Sequence, residues 1–182
     1  EFLQFINNCY TTPPTPEDIF GYIYAILYCP TYREKYLELL RIDFPRVPFT
    51  EDEGKFKELS QLGWELVQHH LMKKNYSKNI SNYPETREEG EPDLVEKIKV
   101  QKADNKVRVY INPRQYFDNI PLPVWDFQIG GYNVLEHWLA DRKKAGKVLT
   151  YADMQHFHKI VNIINFTLRQ MDRIDQIARG IL

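Results

Sequence analysis

Apolar residues recur along this chain with two periods, helical at both ends and alternating in the middle. Thr15 as a cap, Pro16 at the first helical position and Glu17-Asp18 in the first turn predict a helix reaching about Cys29. Ile19, Phe20, Tyr22, Ile23, Ala25, Ile26 and Leu27 cover most of its circumference, the mark of a buried helix. After the interruption at Pro30, residues 31–41 predict a second helix with Tyr32, Tyr36, Leu39 and Leu40 on one face. The FPRVPF run that follows must be extended, because its prolines lack amide donors and bias their predecessors away from helix. Thr50 with Glu53 three residues on reads as a capping box for a third helix. That helix carries Phe56, Leu59, Leu62, Leu66 and Leu71 and ends near Lys74.

Residues 75–93 are polar, aperiodic and rich in Asn, Ser, Pro, Glu and Gly, and are expected to form a long surface loop. Beyond them the period becomes two. Ile98 and Val100 point one way, Asp104-Asn105 supply a turn, and Val107, Val109 and Ile111 return on the same side, which predicts a β-hairpin over 95–111. A further strand is expected at 124–129, followed by a sharp turn at Gly130-Gly131 into a helix over 132–145 that Gly146 ends. A second capping box, Thr150 with Asp153, opens a last helix of about seven turns. Its stripe is Met154, Phe157, Ile160, Val161, Ile164, Leu168, Met171 and Ile174. The expected class is α+β, predominantly helical with a small antiparallel β-sheet, in a single domain over 1–182.

Composition narrows the function. With 182 residues and 43% hydrophobic content the chain can close a core. Cys9 and Cys29 are too few for a disulfide framework or a zinc site and read as reduced thiols, which fits the cytoplasm. No apolar run approaches the roughly 18 residues of a membrane span, and the start lacks a signal-peptide plan. Position 1 is Glu rather than Met, as expected of a piece of a longer protein. A net charge of −1 gives no global attraction to nucleic acid, so any such surface needs its cations gathered on one face.

Catalytic signatures are missing: there is no phosphate loop, dinucleotide fingerprint or nucleophile elbow, and Pro13-Pro14 are flanked by threonines rather than by the Asn/Asp and Tyr of an adenine methyltransferase motif. His69-His70 and His156-x-His158 have the wrong spacing to share a helix face around a metal. The hairpin carries more. Between Val95 and Gln115, Lys97, Lys99, Lys102, Lys106, Arg108 and Arg114 stand against Glu96 and Asp104, a local balance of +4. Alternation sends Lys97, Lys99, Arg108 and Tyr110 to the face opposite the apolar one. A two-stranded ribbon of that kind fits the DNA major groove, where arginine meets guanine and lysine meets phosphate. A solvated hairpin with lysines guarding its edge reads the same way. Arg142, Lys143, Lys144 and Lys147 form a second cluster at a helix C-terminus, where they also complement the helix dipole. Arg46, between two prolines, is placed either to clamp phosphate or to pair with Asp43. Trp125, Phe127, Tyr132, Trp138 and the aromatics from Tyr22 to Tyr36 have the spacing of packing residues.

Three of these segments, VWDFQIGGYNVLEHWLADRKK at 124–144, YIYAILYCPTYREKY at 22–36 and DFPRVP at 43–48, lie in an order and spacing that resemble the C-terminal target-recognition domain of type ISP restriction-modification enzymes. The resemblance covers nearly the whole chain apart from 73–92. It implies sequence reading on duplex DNA with no catalysis in this segment, next to an upstream N6-adenine methyltransferase domain of the same bacterial, cytoplasmic enzyme. It also implies that S-adenosylmethionine, ATP and Mg2+ belong to that parent, and that this segment holds no cofactor or metal of its own. The residues expected to meet DNA are then Lys97, Lys99, Lys106, Arg108, Tyr110, Arg114, Arg46, Arg142 and Lys143. Gly130, Gly131, Tyr132 and Trp138 are expected to be architectural. A helical docking module coupling domains of the same enzyme is the alternative, supported by the near-neutral charge and the long last helix.

Overall fold

The structure, a computed structural model, describes residues 6, 9–84 and 92–182. It is α+β as expected, mostly helical with small antiparallel sheets of three and two strands. The chain divides into two compact units, Glu1–Lys74 with Thr167–Leu182, and Asn75–Phe166.

The first unit is helical: α1 (Pro16–Tyr28), α2 (Pro30–Lys35), α3 (Leu37–Ile42), α4 (Glu53–His70) and the end of the last helix. Thr15 caps α1 as expected, and the Asp18 side chain completes a capping box with it. The second expected helix is broken at Tyr36, which caps α2 and starts α3. At α4 the capping residue is Asp52, which accepts from the Lys55 amide, rather than Thr50. Glu53 instead accepts from the Thr11 amide at 2.9 Å and from Lys57 at 2.6 Å. Helices α1 and α4 cross at Gly21 and Gly63: a Cβ on Gly63 would lie 1.8 Å from the Gly21 carbonyl oxygen, so only glycine permits the approach.

The proline-containing segment lies along this bundle in a way that explains why it needs no helix. Its alternate carbonyls, at Arg46, Pro48 and Thr50, accept from the hydroxyls of Tyr32 (3.0 Å), Tyr22 (2.7 Å) and Tyr10 (2.5 Å). In an extended chain alternate carbonyls face one side, so three tyrosines projecting from the bundle satisfy them in turn. Tyr22 stacks on Phe49 and Phe56 beneath, so its ring is a packing residue.

The second unit is built on β1 (Lys99–Ala103), β2 (Lys106–Tyr110) and β3 (Tyr116–Pro121), an antiparallel sheet in that order. The hairpin turn falls on Asp104 and Asn105, both left-handed at φ 49° and 59°, the geometry of a two-residue turn that follows strand twist. Val107, Val109, Ile111, Phe117 and Ile120 are buried on the inner face. The strand expected at 124–129 is not the third strand. Val124 and Trp125 lie in a short helical turn, α5 (Leu122–Trp125), and only Gln128–Ile129 is extended, as β4, pairing β5 (Tyr132–Asn133) across Gly130-Gly131. Both glycines have positive φ, 58° and 83°. Helix α6 (Val134–Lys144) starts two residues later than expected, capped by the Asn133 side chain, and Gly146 at φ 60° ends it.

Helix α7 (Tyr151–Ala178) opens at the capping box of Thr150 and Asp153 and sets Phe157 4.0 Å above Phe117. The start of the expected surface loop is pinned rather than free. Ser81 is buried and bonds His158 Nδ1 at 2.7 Å, the Ile80 amide donates to Asn162, and Asn82 pairs with Asp118 of β3. Residues 85–91 of that loop lie outside the described residues.

Candidate nucleic-acid interface

Register decides which side chains share the outer face of the sheet. Lys99 pairs with Tyr110, Gln101 with Arg108 and Ala103 with Lys106, while Tyr110 pairs onward with Tyr116 and Lys106 with Pro121. Residues opposite one another in an antiparallel pair project to the same side. The outer face therefore carries Lys99, Gln101, Lys106, Arg108, Tyr110 and Tyr116, backed by the buried valines of the inner face. Lys97, Lys99, Gln101, Tyr110, Asn112 and Pro113 line a groove of about 400 Å3 at one end of it. Lys102 falls on the other side, as its alternation requires, and pairs with Asp126 at 3.0 Å.

Among the described residues, Lys97, Lys99 and Lys106 stand in no ion pair. Arg108 differs. Its Nη2 donates to Asp118 Oδ2 at 2.6 Å, and its guanidinium lies 4.2 Å over the Tyr116 ring. The Arg108 bond holds the Asp118 carboxyl below the usual carboxylate range, and Asp118 in turn holds the guanidinium protonated. Arg114 sits beyond β2, its amide donating to Asn112 Oδ1 at 3.0 Å in a turn that also orders Gln115.

The second cluster is less available. Arg142 folds back on its own helix, 3.5 Å over the Trp138 ring with Nη1 donating to the Trp138 carbonyl. Lys147 pairs with Asp153 at 2.9 Å, leaving Lys143 and Lys144 exposed. Trp138 is buried, whereas Tyr132 is exposed beside His137. In the first unit Arg46 is 93% exposed and reaches Asp43 only at 3.8 Å. The outer face thus collects Lys99, Lys106, Arg108 and Tyr110, with Lys97 at the adjoining groove. Arg46, Arg142 and Lys143 lie on other elements.

Pattern reading missed Gln101, Asn112 and Asp118. Gln101 and Asn112 carry no charge and so escaped a search for cations. Asp118 escaped because β3 itself was unseen: Phe117 and Ile120, its buried residues, are three apart rather than two. Among the described residues, no group of His, Cys, Asp or Glu has the arrangement of a metal site, and no helix is long and apolar enough to cross a membrane.

The chain belongs to the Type ISP C-terminal specificity domain family, whose model it matches over residues 1–173. A search of curated proteins returns no match. Solved structures with the same fold include a cryoEM structure of a DrdV-DNA complex, 24% identical with a TM-score of 0.68 over 95% of this chain and 19% of that one. A nuclease-deletion mutant of the Type ISP restriction-modification enzyme LlaGI in complex with a DNA substrate mimic is 21% identical, with a TM-score of 0.63 over 90% of this chain and 16% of that one. The ATP-dependent Type ISP restriction-modification enzyme LlaBIII bound to DNA is 19% identical, with a TM-score of 0.63 over 96% of this chain and 12% of that one. This chain therefore spans less than a fifth of the length of each.

Proposed function

We propose that this chain reads a specific sequence on duplex DNA as the specificity part of a bacterial restriction-modification enzyme and performs no chemistry itself. In this reading an upstream domain of the same protein flips an adenine out of the gripped duplex and methylates it at N6 with S-adenosylmethionine. Any use of ATP and Mg2+ also falls to the parent. The observation that carries the reading is the outer face of the three-stranded sheet. Unpaired lysines stand at its ends, and a glutamine and an arginine stand between them. That is the division of labour that duplex recognition needs, phosphate contacts to position and base contacts to specify. The solved relatives are DNA complexes, which supports the same partner.

Salt dependence is the test. Neutralising four phosphates, with Lys97, Lys99, Lys106 and Arg114, gives a slope of about −3.6 for the logarithm of duplex affinity against the logarithm of salt. Absence of duplex affinity at low salt overturns the reading. It would favour the second reading, a docking module, which one observation supports: Ile42 and Phe44 of the first unit are 81% and 89% exposed, beside an apolar groove of about 440 Å3 between α3 and the proline segment.

A further inference from the structure

The centre of the sheet holds a device that a solvated ion pair does not require. In the pairing of β2 with β3, Val109 faces Phe117 and Val107 faces Ile120, so Asp118 and Asn119 together stand opposite the single residue Arg108. This is a β-bulge, which re-aims side chains at the point where it occurs. Asn119 takes a left-handed conformation at φ 60°, one that side-chain-bearing residues seldom adopt. The extra residue keeps Phe117 and Ile120 both on the buried face and turns Asp118 outward onto Arg108.

Contacts from the edge hold the bulge in place. The Asn82 and Asp118 backbones bond in both directions, at 3.1 and 2.8 Å, and Asn119 Nδ2 donates to the Ile80 carbonyl at 2.7 Å. Asp118 Oδ1 accepts from the Asn119 amide at 2.8 Å, which leaves Oδ2 for Arg108. The Tyr116 ring fixes the plane of the guanidinium and Asp118 fixes its direction, yet the Arg108 side chain remains 38% exposed. Asp118 takes one of several N–H donors, so the fork keeps donors for a second, outward partner. Directly across the strand pair stands Gln101, exposed and without a hydrogen-bond partner among the described residues.

Resting on the duplex-recognition reading above, we propose that Arg108 reads one guanine, that Asp118 is the positioning residue that aims it, and that Gln101 reads an adenine next to that guanine. The chemistry follows the base edges in the major groove. Guanine offers two acceptors, O6 and N7, to a guanidinium fork, and adenine offers an acceptor and a donor, N7 and the N6 amino group, to a carboxamide. Opposed side chains on one face are roughly 5 Å apart, near enough for adjoining base pairs. The lysines around them set affinity without choosing bases.

The experiment offers the protein a pool of duplexes with randomised sequence, sequences the bound fraction, and measures melting temperature and salt slope for each variant. The wild type is expected to select a guanine beside an adenine. Arg108→Lys keeps the charge and loses the planar fork, so it is expected to lose the guanine preference by about 5- to 150-fold, the range of one bidentate contact, with the salt slope unchanged. Asp118→Asn is expected to weaken the same preference. Gln101→Ala, at an exposed site where folding is not at stake, is expected to lose only the adenine preference. The proposal is overturned if Arg108→Lys and Gln101→Ala select the wild-type sequence. It is equally overturned if Arg108→Ala weakens binding to every duplex alike and makes the salt slope shallower by about 0.9, the signature of a phosphate contact. Absence of duplex affinity in the wild type overturns the underlying reading instead, so the two failures are distinct.

Discussion

In the helical unit three ion pairs join near neighbours in sequence, whereas at the sheet of the second unit Lys97, Lys99 and Lys106 stand without an ionic partner. Arg41 bonds Glu38, Lys57 bonds Glu53 and Arg179 bonds Asp175, each three or four residues apart. Lys97, Lys99 and Lys106 make no such pair, and the arginine among them is held by an acid placed there by a bulge. Surface ion pairs contribute little to stability, so the difference is not one of folding. It lies in what each surface leaves open: cations and amides on the sheet, and on the bundle an apolar edge at Leu39, Ile42 and Phe44. A chain with net charge near zero can thus carry a cationic face, because most of its acids lie on other elements.

The largest expected effect tests whether the helical unit depends on one backbone contact. Gly63→Ala drives a methyl group into the Gly21 carbonyl, where neither backbone can yield, and should destabilise the protein by about 3 kcal/mol in urea unfolding. The buried acid of the same unit comes next. Asp175 accepts from the Thr31 amide at 2.9 Å, from Arg179 Nε at 2.9 Å and from the Cys29 thiol. Asp175→Ala, which removes them, should cost about 1.5 to 3 kcal/mol. Burial works against its ionisation, but those donors outweigh it and hold the carboxyl at about 2, below its ordinary 3.8. With the folded value depressed, the stabilisation is complete above pH 4 and is lost as pH falls toward 2. Acid titration of the Asp175→Ala protein should show a correspondingly smaller loss of stability across that window.

On the sheet, Lys97→Gln with Lys99→Gln should leave melting unchanged and make the salt slope of duplex binding shallower by about 1.8, with base preference intact. A change of preference would move these lysines from positioning to reading. The smallest effect sharpens the hairpin itself. Asn105 sits at φ 59° in the turn, and Asn105→Gly should raise stability by about 0.5 kcal/mol in thermal unfolding.

The long helices were legible because each carries an apolar stripe and opens at a side-chain cap, as at Thr15 and Thr150, whereas α2 and α3 have no such cap. Asp52 displaced Thr50 as a cap because two acceptors compete within three residues, a contest spacing alone does not resolve. The hairpin and its cationic face were legible from alternation and the Asp104-Asn105 turn. The third strand was not, since a bulge breaks the period that identifies strands, and Val124 with Trp125 mimicked one while lying in a helical turn. The site was therefore half visible. Its cations stood out by charge, but the acid aiming Arg108 lies in the strand whose pattern the bulge erased. The stacking of Arg142 on Trp138 was equally hidden, because a ring four residues back leaves no mark in composition.

The central claim is that duplex DNA lies on the sheet of the second unit and not on the bundle. Lysine acetylation of the protein with and without duplex, read residue by residue, tests it directly. Protection of Lys97, Lys99 and Lys106 with Lys57 and Lys73 of the helical unit unchanged is the predicted result. Protection of Lys57 and Lys73 while Lys97, Lys99 and Lys106 stay reactive would contradict it.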